Sequence, residues 1–270
     1  MTTTWLCRAC ATQYPPSDAP PPACPICEDP RQYIPHDTGQ QWVSFDELVS
    51  THEAVVRDDN GILGIGCEPS IAIGQRALLV KSRAGNVLWE CIPYLDDDLA
   101  TRVRDEGGLA AIAISHPHYY SAMVEWARAF SCPIYLHEAE RKWVMRPDAS
   151  VRFWSGETHE LGGGLTLVRC GGHFEGAQVL HCADERALLS GDIVMVIPDR
   201  RYVSFMYSYP NLIPLPPSRV EAIAAALAPF EFDRIYGAWW DRVVPADGSA
   251  AVRRSAARYV RAVSEPGLPS

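Results

Sequence analysis

Two C-x-x-C pairs, Cys7-Arg-Ala-Cys10 and Cys24-Pro-Ile-Cys27, stand thirteen residues apart near the start of the chain. Two residues between cysteines let both thiolates grip one ion from a tight turn, and two such knuckles supply a tetrahedral four-sulfur site. The surrounding segment, residues 1–45, carries Pro15, Pro16, Pro20, Pro21, Pro22 and Pro25 and shows no long apolar period. A piece of this size and composition has too little apolar surface for its own core and needs a staple. Cys7, Cys10, Cys24 and Cys27 are therefore expected to hold a structural metal. Zinc is the default, and iron has the same ligands. A closed four-thiolate site leaves no open coordination position, so it is read as structural rather than catalytic.

The other five of the nine cysteines are scattered in apolar stretches. An odd count, with one knot and scattered thiols, fits a reducing compartment rather than a disulfide framework, and the expected location is cytoplasmic. The start, MTTTWLCRAC, has no basic region followed by an apolar run, and no apolar stretch reaches membrane-spanning length. Neither a membrane nor a nucleic acid is expected as partner, since the net charge is −9 and no basic block appears.

Residues 46–270 read as a second, larger unit. Short apolar runs at 54–56, 62–65, 77–80, 87–91, 109–115 and 134–136 have strand character. The same holds at 158–161, 165–169, 178–182, 187–190 and 234–236. Helical patterns fall at 96–104, 121–130, 218–227 and 249–263. Strands with interspersed helices in two successive halves predict an α/β layered architecture. Residues 198–217, rich in aromatics and prolines, predict a long ordered loop that covers a site.

Three apolar runs end in metal-binding side chains. His116-Pro-His118 closes 109–115, and residues two apart in extended chain project to one face. Gly171-Gly172-His173 follows 165–169, and Gly191-Asp192 follows 187–190. Three histidines and an aspartate are enough for one zinc ion with room for water. Alone, the H-x-H pair is weak evidence; the order of the three elements strengthens it.

These residues carry a resemblance. From about residue 53 to 245 the chain resembles the metallo-β-lactamase-fold hydrolases, preceded by a segment similar to a zinc ribbon or rubredoxin. The H-x-H-x-D-H motif is matched in its first half by His116-Pro117-His118, the G-H motif by Gly172-His173, and the strand-G-D motif by Gly191-Asp192. The resemblance implies a four-layer αβ/βα sandwich, with a metal held by His116, His118, His173 and Asp192. It also implies departures. Tyr120 and Ser121 stand where the family has the Asp and His of a second metal site, and no His occurs in the late motif near 235–239. The first motif, an Asp after an apolar strand, falls near Val87-Leu88-Trp89-Glu90-Cys91, where Asp is absent. One metal is therefore expected in the main unit, zinc or else iron.

The expected activity is hydrolysis of an ester, thioester, lactone or related small molecule. Asp192 is expected to steer or deprotonate the water, and the Tyr120 phenol to point into the same cleft as a donor. Packing of the Tyr120 ring is the competing role. Two other functions stand beside this one: a catalytically degenerate binding or scaffold protein, making protein contacts through its ribbon, and an iron-bound redox relative. His137 and His181 are read as structural, and His36, His52 and His159 as solvated.

Overall fold

The computed structural model describes residues 2–264. The first unit is closed by pairing of strand β1 (Trp5–Cys7) with β2 (Trp42–Ser44), with one turn of helix α1 (Pro25–Glu28) between them. Cys7, Cys10, Cys24 and Cys27 are buried and cluster with Tyr14 and Ile26. Leu6 and Val43, from the same two strands, belong instead to the core of the main unit. Helix α2 (Phe45–Thr51) begins where the Ser44 hydroxyl accepts from the Glu47 N–H at 3.0 Å. A serine followed three residues later by a glutamate is the capping signal for such a start.

One sheet has seven strands in sequence order: β3 (Glu53–Asp59), β4 (Ile62–Glu68), β5 (Ala77–Val80), β6 (Val87–Trp89), β7 (Ala111–Ala113), β8 (Ile134–His137) and β9 (Val151–Trp154). The hairpin strands β3 to β6 are antiparallel. From β6 to β9 the pairing is parallel, with helices α3 (Asp97–Asp105) and α4 (Met123–Phe130) as crossovers. The Asp96 carboxylate accepts from the Leu99 N–H at 2.7 Å and caps α3, while Arg102 and Arg104 occupy its last turn, both favourable to the helix dipole.

The second sheet has six strands. It contains β10 (Thr158–Gly162), β11 (Leu165–Arg169), β12 (Gln178–Cys182) and β13 (Ala187–Gly191). The chain then runs through four short strands, β14 (Met195–Val196), β15 (Val203–Ser204), β16 (Met206–Ser208) and β17 (Ile213–Pro214), to helix α5 (Pro217–Leu227). Strands β18 (Arg234–Gly237) and β19 (Val243–Val244) complete the sheet, and α6 (Gly248–Ser264) follows. The stretch expected as one long loop thus folds into two small hairpins.

Strand alternation explains the layers. Leu78, Val80, Val87, Trp89 and Ala113 from the first sheet pack against Leu165, Leu167, Leu180, Leu189 and Tyr236 from the second. Their neighbours Leu79, Leu88 and Ile112 point the other way, onto Leu99, Val103, Val124 and Trp126 of α3 and α4. On the far side, Val168, Val179, Leu188 and Ile235 meet Val220, Ile223 and Leu227 of α5 and Val252 of α6. Sheets buried on both faces need this period-two split of apolar residues, and the result is the four-layer sandwich. A buried ion pair ties the sheets at one end: Arg76 Nε lies 2.5 Å from Asp59 Oδ2, and Arg76 Nη1 donates to the Gly237 carbonyl at 2.7 Å. No helix among the described residues is long and apolar enough to cross a membrane.

Candidate metal centre

Strand ends of both sheets meet at one place. Strand β7 stops at Ala113, His116 is still extended, and Pro117 then starts a 3-10 turn over Pro117–Tyr119. His118 therefore reaches its neighbour from a turn, not from continued strand. In a 3-10 turn successive side chains are about 120° apart. Consequently Tyr119, and not Tyr120, packs on the metal side: the His116 and Tyr119 rings are 4.6 Å apart. Tyr120 turns away into a small cavity with Thr12 and Gln13 of the ribbon and with Ser121 and Arg146. The expectation that the Tyr120 phenol enters the cleft is corrected on this geometry.

His173 arrives from the loop after β11. Gly172 precedes it at φ +80, and a Cβ there would lie 2.6 Å from Ile223 Cδ1, so only glycine allows this close approach of loop to helix. Its ring Nδ1 lies 3.2 Å from the Met206 carbonyl. Its Nε2 lies 3.3 Å from His118 Nδ1. His116 Nδ1 lies 2.9 Å from Ser115 Oγ, which leaves His116 Nε2 facing inward, 3.4 Å from Asp192 Oδ1. One nitrogen from each of the three imidazoles falls within 4.8 Å of the others. His116 Nε2 and Asp192 Oδ1 are buried with no hydrogen-bond partner.

Burial sets the protonation states. It holds His116 and His118 well below the ordinary imidazole value, with the neighbouring His173 adding to the effect. His173 is lowered by burial against an opposing pull from Asp192. Neutral imidazoles with inward lone pairs are the metal-binding state. Converging orphaned lone pairs, buried together, are costly unless a cation satisfies them, and the donor set fits a metal ion. Burial likewise raises Asp192.

Glu90 was not singled out as a site residue from the sequence. It follows β6 in the left-handed region, φ +65, which turns its carboxylate inward, where Oε2 accepts from the Ser115 N–H at 3.1 Å. Burial pushes its titration up to about 8. A Cβ on Gly191 would lie 2.8 Å from both Glu90 Oε1 and Ser115 Oγ. The glycine before Asp192 thus lets the strand end sit directly against the Glu90–Ser115 pair. Gln178, also missed, binds Trp154 Nε1 at 2.6 Å and the Ile114 and Tyr135 carbonyls at 2.7 and 3.0 Å, pinning the two sheets beside the site.

The remaining histidines are elsewhere. His137 accepts from the Ala139 N–H, His181 bonds the Glu231 carbonyl, and His159 stacks on Trp154. Burial raises the thiols of Cys67 and Cys132 to about 11 and those of Cys170 and Cys182 to about 12, so none is a nucleophile near neutral pH. At the other cluster, Cys7 and Cys27 Sγ are 3.5 Å apart, and Cys10 and Cys24 Sγ 3.6 Å apart, as a four-thiolate metal site requires.

The fold is that of the metallo-β-lactamases, and the three histidines form a candidate metal site within it. The solved metallo-β-lactamase DIM-1 matches it with a TM-score of 0.59 at 16% identity, over 78% of this chain and 99% of DIM-1. The mono-zinc form of FIM-1 from Pseudomonas aeruginosa matches with a TM-score of 0.56 at 14% identity, over 79% and 97%. At these identities the likeness is one of fold. No family model matches the chain. In sequence it is 46% identical over 267 residues to the uncharacterized protein YmaE of Bacillus subtilis (strain 168), covering 96% of this chain and 97% of YmaE, and it belongs to the same family as YmaE.

Proposed function

We propose that the chain is a hydrolase of esters, thioesters or lactones that holds one zinc ion at His116, His118 and His173. The observation that carries this reading is the convergence of three buried imidazoles on one another, with the unpartnered Asp192 Oδ1 3.4 Å from His116 Nε2. When bound there, zinc supplies Lewis acidity and lowers the pKa of a coordinated water toward neutrality. The chain supplies the rest. The Met206 carbonyl, which can only accept, fixes the His173 tautomer, and the Ser115 hydroxyl holds His116 by Nδ1, so that both rings present Nε2 inward. Asp192 Oδ1 is free to take a proton from the attacking water or to complete the ligand set. The Tyr119 hydroxyl is buried without a hydrogen-bond partner, and its titration is raised first by burial and then by Asp192. It is the donor available to a developing oxyanion, the role expected of Tyr120 from the sequence.

The single-ion reading is supported by what stands at the second-site positions. Tyr120 and Ser121 leave the cluster, and the late strand ends in Gly237, Ala238 and Trp239. The test is metal analysis of the purified chain, followed by a panel of ester, thioester, lactone and phosphodiester substrates. Hydrolysis that falls about a hundredfold in Asp192→Asn with metal retained is expected. A zinc-loaded chain that turns over none of the panel would favour the binding-module reading, and bound iron would favour the redox relative.

A further inference from the structure

Ribbon residues 30–33 are strapped onto the main unit beside the histidine cluster. Arg31 Nη1 donates to the His173 carbonyl at 3.2 Å, and the Ser208 hydroxyl donates to the Arg31 carbonyl at 3.1 Å. Asn211 Nδ2 donates to the Pro30 and Gln32 carbonyls at 3.0 and 3.1 Å. The strap brings Gln32 and Tyr33 to the wall of a cavity of about 270 Å³ whose floor includes His118, His173 and Asp192. Ala72, Ile73, Pro210 and Trp239 line other parts of it.

Three properties of this wall define what it would accept. Its only cationic side chain, Arg31, is already committed: Asp29 holds Nε and Nη2 at 2.6 and 2.8 Å, and Phe174 lies 3.7 Å beneath the guanidinium. A substrate anion finds no free cationic side chain there. Gln32 Oε1 accepts from the Tyr33 N–H at 3.2 Å, and its amide nitrogen has no partner among the described residues, so it can donate to a ligand. Finally, four large hydrophobic side chains are exposed among the described residues, and three of them belong to this strap and its latch. Tyr33 is 52% exposed, while Leu212 and Ile213, directly after Asn211, are 79% and 38% exposed. Leu212 and Ile213 lie outside the cavity lining, on the latch that Asn211 ties to the strap, so an apolar chain leaving the cavity past Tyr33 has exposed apolar side chains to cover.

We infer that ribbon residues Gln32 and Tyr33 form the substrate-recognition wall of the metal site, and that the substrate is an uncharged acyl compound with a hydrophobic chain. Gln32 donates to a polar atom beside the reacting carbonyl. Tyr33, with Leu212 and Ile213, seats the chain. This rests on the hydrolase reading for the reaction but not for the recognition, and the two are separable.

The experiment titrates the full zinc-loaded chain calorimetrically with acetohydroxamate and octanohydroxamate. These share a metal-binding head and differ only in chain length. The eight-carbon probe is expected to bind at least about tenfold tighter, since each buried methylene is favourable. In Tyr33→Ala and, separately, in the surface variant Leu212→Ser, that ratio is expected to shrink at least about threefold, with metal content at both sites unchanged. Gln32→Leu is expected to weaken both probes by a similar factor. Equal affinities for the two probes, no binding of either, or a ratio unchanged in both Tyr33→Ala and Leu212→Ser would overturn the wall. Nitrophenyl esters of the same chain lengths read the reaction separately. Tight octanohydroxamate binding without ester turnover keeps the wall and removes the hydrolase. Turnover indifferent to chain length keeps the hydrolase and removes the wall.

Discussion

The guanidinium of Arg31 lies 3.7 Å over the ring of Phe174, the residue that follows the metal-site histidine His173. Arg31, held in place by a fork to Asp29, thus joins the ribbon to the ligand loop by a stacked face and by its bond to the His173 carbonyl. Arg31→Ala removes all three and leaves the Asp29 carboxylate without its cation. Groups that orient a ligand typically contribute 10–100-fold to metal affinity. The expected result is about a tenfold weaker His-site affinity for cobalt(II), read by competition with a chelator, with the Cys-site metal retained. Unchanged affinity would show that the ribbon rests on the site without positioning it.

Tyr119 and Tyr120 separate in environment although adjacent in sequence: one packs on His116, the other lines a cavity with Thr12 and Gln13. Tyr119→Phe removes the hydroxyl beside Asp192 and is expected to lower kcat by about tenfold or more, with metal content unchanged. Tyr120→Phe, in the small cavity against Thr12 and Gln13, is expected to leave kcat within about twofold of the parent. The reverse order would restore the role first expected from the sequence.

Glu140 gives a pH signature away from the metal ligands. Burial pushes its carboxyl up to about 7, against an ordinary value of 4.5, although Oε1 accepts from the Gly176 N–H. Its other oxygen is buried with no partner. A carboxyl whose folded-state value is raised favours the protonated folded state. Its contribution is present in full below the unfolded value and is lost as pH rises through about 7. Glu140→Gln cannot ionise, so it is expected to gain stability relative to the parent between about pH 5 and 8, on the order of 1–3 kcal/mol. Denaturant midpoints across that range read it. A difference that stays flat with pH would place the carboxyl in a solvated environment.

The sequence shows the cysteine knot and the histidine cluster plainly because each is carried by local spacing or by an apolar strand ending in a polar residue. His116, His118, His173 and Asp192 are found this way, and the layered α/β order follows from the same strands. What alternation cannot show is where a turn intervenes. Pro117 starts a 3-10 turn at the strand end, and that turn sets Tyr119, rather than Tyr120, against His116. Glu90 is hidden for a related reason, since a left-handed residue at a strand end re-aims its side chain without any signature in composition. Helix α2 carries its signal in the Ser44–Glu47 cap, in a segment too short for a helical apolar period to show. The strap at 30–33 could not be read at all. Its contact from Arg31 to His173 spans 142 residues, and nothing local in either segment anticipates the other.

The central claim is one metal ion at the histidines beside a second, separate ion at the cysteines. Anomalous diffraction from crystals of the zinc-loaded chain, collected at the zinc edge, tests it most directly. The account predicts two peaks in all: one among Cys7, Cys10, Cys24 and Cys27, lost in Cys10→Ser, and one among His116, His118 and His173, retained in that variant. A pair of peaks about 3.5–4 Å apart at the histidines, as in two-metal sites, would contradict it.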